Sequence, residues 1–339
     1  MAGQAGAGAM LPEVVFLGAG AFGVPTLEAL ARAGRVALVV SQPDREAGRG
    51  KRPTPTPISE FALAHGLPLL RTDDCNAPEP SARIRGAAAE AAARAREAGC
   101  PQPGGAMVVI AFGQKLGPAV LDGLFAINLH GSLLPRWRGA APVQRALMEG
   151  DRVAGVSVIS LAERMDAGVV YAEAPRAIGP RETAGELHDA LAALGPDVVS
   201  AVLSQWLAGT AAPSVQDESC ATRARKLSRA DAWVDLSLPA PRVRARVNGL
   251  NPWPGCAAEV DGRTLVLRRC EEVAGDASAG SARPAGTLVA DGTLWCGQGA
   301  VRILEVQPPG GKSMEFGAWA RGARLAAPTT LTSAPPASG

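Results

Sequence analysis

Asn128 and His130 stand two residues apart at the end of a short apolar run, followed by Gly131 and Ser132-Leu133-Leu134-Pro135. Residues two apart on a strand share a face, so the amide and the imidazole would point the same way. The amide can donate to an oxyanion developing on a carbonyl carbon, and the imidazole can donate too or carry a proton near neutral pH. The run itself holds no carboxylate to orient the ring. Asp166, in Arg164-Met165-Asp166-Ala167-Gly168 between two predicted strands, is the candidate. Asn, His and Asp without a serine or cysteine nucleophile suit acyl transfer directly between two substrates, with no covalent enzyme intermediate. The spacing alone equally allows His130 to cap a strand and Asp166 to start a turn. The chain has only three histidines; His65 and His188 fall on predicted helices and are given no role.

Positioning such a site is the task of alternating strands and helices. Val14 to Leu17, Val36 to Val40, Met107 to Ile110 and Ala126 to Leu129 are short apolar runs bounded by turns. Val153 to Leu161 and Val169 to Ala177 read as two further strands. Helices are expected over Val24 to Arg32, around Ile58 to Ala64, and from Thr183 to about Leu207. This alternation predicts a Rossmann-like α/β domain built on a parallel sheet, whose chemistry lies beyond the carboxyl ends of the strands. The alanine- and arginine-rich stretch 77–105 reads as a helical surface insertion.

After Ala208 the pattern changes to short strands (Ala257 to Val260, Thr264 to Arg269, Gly286 to Val289, Thr293 to Cys296, Val301 to Val306) behind a helix over Pro241 to Asn248. Asp-Gly turns separate them, which suits a small OB-like β-barrel. The expected division is a catalytic domain over 11–208, a linker over 209–220, a barrel over 221–326 and a disordered tail over 327–339.

The 339 residues are enough for two domains with real cores, and 47% hydrophobic with 19% charged residues is a globular composition. A net charge of +2 leaves any nucleic-acid contact to local basic patches. Six scattered cysteines without a CxxC pair suit free thiols in a reducing compartment, and no metal site is expected. No apolar run reads as a membrane span, and Met1 to Met10 lacks the basic and apolar parts of a leader. The reading is a bacterial cytoplasmic protein, and no feature demands more than a monomer.

Gly18-Ala19-Gly20-Ala21-Phe22-Gly23 spells GxGxxG between a strand and a helix. A dinucleotide site would also need an acidic residue ending the second strand. Here that strand runs into Val40-Ser41-Gln42-Pro43, and Asp44 arrives late at the head of a basic loop. The motif therefore reads as a tight turn at the first crossover, with no NAD expected.

The run from Ile127 to Gln144, INLHGSLLPRWRGAAPVQ, resembles the signature of the formyltetrahydrofolate-dependent formyltransferases, most closely the branch acting on methionyl-tRNA. Asn128, His130 and Asp166 occupy that family's catalytic places. Ala111-Phe112-Gly113-Gln114 resembles its Ala-Tyr-Gly segment beside the folate, with Phe112 in place of the tyrosine. The resemblance implies a cleft for 10-formyltetrahydrofolate formed by Phe112, Gly113, Gln114, Ser132, Leu133, Leu134, Pro135 and the loop around Asp166. It also implies transfer of the formyl group to the free α-amine of methionyl initiator tRNA, for translation initiation. Gln42 to Arg52 resembles the family's basic loop on the tRNA acceptor stem. Gln216-Asp217-Glu218, Lys226-Leu227-Ser228 and Asn251-Pro252-Trp253-Pro254 resemble its linker and barrel. The first turn differs from the Thr-Pro-x-Phe type of the family, and 77–105 is longer than usual.

Relatives of this kind also formylate small amines, so the acceptor rests on two basic features. One is the loop carrying Arg45, Arg49, Lys51 and Arg52. The other is the approach to the barrel, where Arg223, Arg225, Lys226, Arg229, Arg242, Arg244 and Arg246 bunch together against Asp231 and Asp235. Arg45, Arg49, Lys51, Arg52 and Lys226 are the candidate tRNA contacts. Trp137 and Trp253 read as packing residues. The competing readings are a small-amine formyltransferase, a nicotinamide oxidoreductase and a catalytically silent tRNA-binding protein.

Overall fold

The computed structural model describes residues 10–47, 52–99, 104–273 and 283–335, which divide into two compact units. In the first, seven strands form one sheet: β1 (Val14–Gly18), β2 (Val36–Ser41), β3 (Leu69–Arg71), β4 (Ala106–Ile110), β5 (Phe125–His130), β6 (Val153–Ser160) and β7 (Val170–Ala177). Their spatial order is β7-β6-β5-β4-β1-β2-β3. The pairs β2–β3, β1–β2, β1–β4 and β4–β5 are parallel, and β5–β6 is antiparallel. The chain builds from β1 toward β3 and then returns to the other side of β1 for β4 and β5. The topological switch lies between β1 and β4, where open α/β sheets bind their ligands.

The sheet's central strands are buried on both faces, as parallel strands flanked by helices must be. The glycines of GxGxxG serve this packing. A Cβ on Gly18 would lie 2.9 Å from the Phe16 ring and 3.0 Å from Ile110 O, and one on Gly20 3.1 Å from Ala111 Cβ. The turn after β1 is further tied to the end of β4 by Ala19 N and Gly20 N, both donating to Ala111 O.

The expectation of a surface insertion over 77–105 is corrected. Pro78–Glu97 is the crossover helix from β3 to β4, with Ile84, Ala88, Ala91 and Ala92 buried. Its alanines suit close approach: a Cβ on Gly105 would meet Ala88 O at 2.8 Å. Only residues 100–103 of that stretch lie outside the described residues. The single helix expected from Thr183 to Leu207 is two, Ala184–Ala192 and Gly195–Leu207. The stretch Ala184–Leu207 is apolar enough for a membrane span by mean hydropathy (1.3 over its best window). Its halves of 9 and 13 residues are each too short for a hydrocarbon core of about 30 Å at 1.5 Å per residue. They bury Leu187, Leu191, Val199, Val202 and Leu203.

In the second unit, strands Arg263–Glu272, Cys256–Val260, Thr329–Thr332, Thr287–Leu288, Thr293–Trp295 and Ala300–Gln307 follow one another, all antiparallel. Pairing of Arg263–Glu272 with Ala300–Gln307 closes the barrel and removes its open edges. Thr329–Thr332 corrects the expected disorder over 327–339: Leu331 is buried, and the strand pairs with both Cys256–Val260 and Thr287–Leu288. Residues 336–339 lie outside the described residues. The helix Phe316–Ala323 was also unforeseen. Asn248, on helix Ala240–Gly249, is fully buried and bonds both Cys270 N (2.9 Å) and Cys270 O (3.0 Å) where the ladder is irregular.

This unit also takes Trp137–Ala154 and Arg176–His188, which the expected boundary at 208 assigned to the catalytic domain. Ala141 and Met148 join the barrel's core, and a Cβ on Gly249 would lie 2.5 Å from Met148 Cγ. Glu186 accepts from Arg269 through both oxygens (2.8 and 2.9 Å) and from Thr183 N at 2.9 Å. The Arg269 hydrogen bonds, opposed by partial burial and aided by Thr183, hold its carboxyl at about 2, below the ordinary 4.5. A depressed carboxyl stabilises the fold above its unfolded value and loses that contribution as pH falls through the folded one. Glu186→Gln is therefore expected to lower the urea midpoint at pH 7, with the gap to wild type narrowing from about pH 4.5 and closing near pH 2. A gap of constant size across that range would show that the carboxylate charge is not the cause.

Four of the described cysteines (Cys75, Cys256, Cys270, Cys296) are buried and one, Cys220, is exposed; none forms a disulfide. Burial pushes the Cys256 thiol up to about 12 and those of Cys75 and Cys296 to about 11. Such thiols pack as small apolar groups.

Candidate active site

His130 ends β5 with 6% of its surface exposed, and Asn128, two residues earlier on the same strand face, is partly exposed. The register sets Asn128 between Val109 of β4 and Ile159 of β6, and His130 opposite Ser157. The imidazole Nδ1 lies 3.6 Å from Asp166 Oδ1, with both side chains largely buried. That separation is an ion-pair distance, longer than a hydrogen bond. His130 and Asp166 are thus brought together, with Asn128 on the same strand face, one strand beyond the switch point of the sheet.

Asp166 reaches His130 from a turn of unusual backbone. Its φ is +55°, in the left-handed region that side chains disfavour. Two features hold it there. Gly168 lies so close to the end of β6 that a Cβ would sit 1.9 Å from Ser160 O. Gln216 Nε2 donates to Asp166 O at 2.9 Å and to Gly168 O at 2.7 Å. Sequence reasoning assigned neither residue a role. Gln216 stands 50 residues from Asp166, and no periodicity reports so distant a contact.

The loop Ser132-Leu133-Leu134-Pro135 follows directly. Ser157, fully buried on β6, receives the Leu134 N–H at 3.0 Å, and its hydroxyl lies 2.8 Å from Ser132 O. Ser132 Oγ donates to Arg136 O at 2.7 Å. Leu134 packs with Ile159 and Val170, while Leu133 stays partly exposed. Ser157 was not foreseen, although its register opposite His130 places it at the base of this loop.

Phe112, Gly113 and Gln114 follow β4. Phe112 is 2% exposed, and its ring belongs to the core with Cys75, Ile84 and Val120, so the expected ring contact with the folate is corrected; Gly113, the next residue, is exposed. Gly113 has φ +81°. The Gln114 amide is held by Cys75 N and Thr72 O, both at 2.8 Å. Gln42 Nε2 donates to Phe112 O at 3.0 Å, and Gln42 Oε1 accepts from Arg45 at 2.9 Å.

The basic loop is a hairpin of Arg45–Ala47 against Arg52–Thr54, closed at its base by the Ser41 and Thr56 hydroxyls 2.6 Å apart. Arg45 and Arg52 are exposed; Arg49 and Lys51 lie outside the described residues. The arginines at the barrel's approach are largely occupied, which corrects the reading of an open basic platform. Arg145 and Arg225 converge on Asp231 (3.3 and 2.5 Å), Arg242 pairs with Glu149, and Arg244 with Glu272. Arg246 donates to Trp233 O and Asp231 O, and its guanidinium lies 5.2 Å from the Trp233 ring centre. Burial opposes the Asp231 charge, yet the Ser228 N–H and the guanidiniums outweigh it and lower its pKa. Arg223, Lys226 and Arg229 are exposed, and so are the paired Arg225 and Arg242. Trp137 packs, with Nε1 donating to Asp151, whereas Trp253 is half-exposed.

Residues 13–203 match the formyl transferase family, and residues 226–324 match the formyl transferase C-terminal domain. The class is thereby set: an enzyme that transfers formyl groups. The chain is 40% identical over 324 residues to the methionyl-tRNA formyltransferase of Heliobacterium modesticaldum, covering 92% of this chain and 98% of that one. To the methionyl-tRNA formyltransferase of Stutzerimonas stutzeri it is 39% identical over 313 residues, 90% and 93% of the two chains. It belongs to the methionyl-tRNA formyltransferase family.

Among solved structures, the sugar 3N-formyl transferase WlaRD, crystallised with dTDP and 5-N-formyl-THF, superposes with a TM-score of 0.61 at 10% identity. That match covers 86% of this chain and 96% of WlaRD. HypX from Aquifex aeolicus, in complex with tetrahydrofolic acid, gives 0.54 at 15% identity, over 92% of this chain and 47% of HypX. At these identities the likeness concerns the fold.

Proposed function

We propose that this chain transfers the formyl group of 10-formyltetrahydrofolate to the free α-amine of methionyl initiator tRNA. The observation that carries the reading is the approach of His130 Nδ1 to within 3.6 Å of Asp166 Oδ1, with Asn128 on the same strand face, in a chain so similar to methionyl-tRNA formyltransferases along nearly its whole length. The folate supplies the formyl group. It fits between the main chain of Phe112 to Gln114 and the loop Ser132 to Pro135, whose Leu133 is partly exposed and whose backbone Ser157 braces. Asn128 and His130 donate to the oxyanion that forms as the amine attacks the formyl carbon; the intermediate collapses with cleavage of the bond from that carbon to N10 of the folate, which leaves protonated as tetrahydrofolate. Asp166 orients the imidazole and helps take the amine's proton. Neither step calls for a metal or a nicotinamide.

The acceptor end of the tRNA is assigned to Arg45, Arg49, Lys51 and Arg52 of the basic sequence Gln42 to Arg52, and to Lys226. Each neutralised phosphate releases counterions, so affinity falls with salt. Five such contacts give a slope of log affinity against log salt of roughly −3.5 to −4.5. A slope near zero would remove these residues from the phosphate-binding role. The same reading implies a monomer working in the bacterial cytoplasm.

The decisive experiment mixes the protein with methionyl initiator tRNA and 10-formyltetrahydrofolate and measures N-formylmethionyl-tRNA. Its rapid appearance supports the proposal. Intact folate binding with no formylated tRNA, and formylation of an amino sugar nucleotide instead, would move the acceptor to a small amine.

A further inference from the structure

The segment between the two family matches was expected to be a plain linker over 209–220. Its second half is instead fastened along the catalytic turn. Val170 N donates to Ser214 O and Ser214 N to Val170 O, both at 2.8 Å. Arg164 pairs with Glu218 at 2.9 Å. Between these fasteners Gln216, 8% exposed, places its amide nitrogen against two carbonyl oxygens of the turn, those of Asp166 and Gly168.

We propose that Gln216 is a positioning residue for formyl transfer: its amide fixes the left-handed turn from which Asp166 faces His130. The proposal rests on the formyl-transfer reading above. Two carbonyl oxygens converging on one side chain need a donor with two hydrogens, which a glutamine NH2 supplies and a carboxylate does not. Asp166 holds a backbone conformation disfavoured for a residue with a side chain. Without the amide, the buried Gly168 carbonyl and the part-buried Asp166 carbonyl lose a partner and the turn loses part of what outweighs its backbone cost. The carboxylate would then drift from the imidazole, and a displacement of about 1 Å in a catalytic group can cost about a hundredfold in rate. The catalytic part of the chain accordingly extends through the linker. A truncation after Ala208 deletes Gln216 together with the barrel, so a cut that tests the barrel alone belongs after Cys220.

The test compares Gln216→Ala and Gln216→Glu with wild type in the full-length protein. The expected result is a kcat about 10- to 100-fold lower, with KM for tRNA and folate within about twofold. Adding Gln216→Ala to Asp166→Ala is expected to cost nothing further in single-turnover rate, because the amide acts through the carboxylate. Multiplying losses in the double variant, or a KM change as large as the kcat change, would overturn the proposal. A readout independent of the acceptor is the NMR signal of the His130 ring at fixed pH. It should move in Gln216→Ala in the same direction as in Asp166→Asn, and a His130 signal unmoved by Gln216→Ala alone refutes the positioning role even if wild type uses another amine. If the alanine variant does not fold, Gln216→Glu keeps the side chain's size and carries the same comparison.

Discussion

Replacing His130 by alanine is expected to cut single-turnover formylation of methionyl initiator tRNA by at least about a hundredfold, the usual cost of losing one oxyanion donor. Asn128→Ala should act to a similar extent. His130 is 6% exposed at the end of β5, its Nδ1 faces Asp166, and Asn128 shares its strand face. With both groups proposed to serve one oxyanion, the double variant should lose less than the product of the single losses. Affinity for tRNA should stay close to wild type, because the proposed phosphate contacts are Arg45, Arg49, Lys51, Arg52 and Lys226. Near-normal turnover in either single variant would reduce the pair to a strand end with no role in the chemistry.

Gly168→Ala should be as damaging, although the residue touches no substrate. Its added methyl would lie 1.9 Å from Ser160 O and 2.6 Å from Ser160 Oγ. No rotamer relieves a clash with a backbone carbonyl, so either the end of β6 or the turn must move. The two are joined by Ser160 N to Val169 O (2.9 Å) and Val169 N to Ser160 Oγ (3.1 Å). Shifting the turn carries Asp166 with it, and the expected loss is again at least about a hundredfold in turnover. Overpacking of this kind also lowers stability by about 1–3 kcal/mol. Rates measured well below the variant's melting temperature, with unchanged circular dichroism, separate the two effects. Wild-type rates in such a folded variant would mean that the turn tolerates displacement and that Asp166 needs no fixed position.

Much of this protein was legible along the chain because the relevant signals are local. The apolar runs ending at Leu17, Val40, Ile110 and Leu129 lie in four strands of the sheet, and the strand period places Asn128 and His130 on one face. GxGxxG reads as a tight crossover turn from the lack of an acidic residue at the end of the second strand, and the close contacts of Gly18 and Gly20 with the end of β4 give that turn its packing reason. The Asp-Gly turns Asp261-Gly262 and Asp291-Gly292 mark two of the barrel's strand junctions. Asp166 was nameable as a candidate by resemblance, although the distance that makes it a partner of His130 was not.

Contacts between distant segments were decided only by the tertiary structure. The arginines before the barrel look like an open basic surface in sequence, but Glu149 and Glu272 arrive from elsewhere and, with Asp231 inside the cluster, pair with several of them. Phe112 stands where the resemblance puts a folate contact, yet its ring goes to the core because the strand's exit directs it there. Gln216 in sequence is one polar residue of a linker, and only the fold lays it across the turn of Asp166. Periodicity and turn chemistry report which way a side chain faces within its own element, so the sequence by itself determined most strands of the sheet and the candidate pair Asn128 and His130. What each face meets depends on strand order and register, and only the tertiary structure decided how the turn is held and which charges stay exposed.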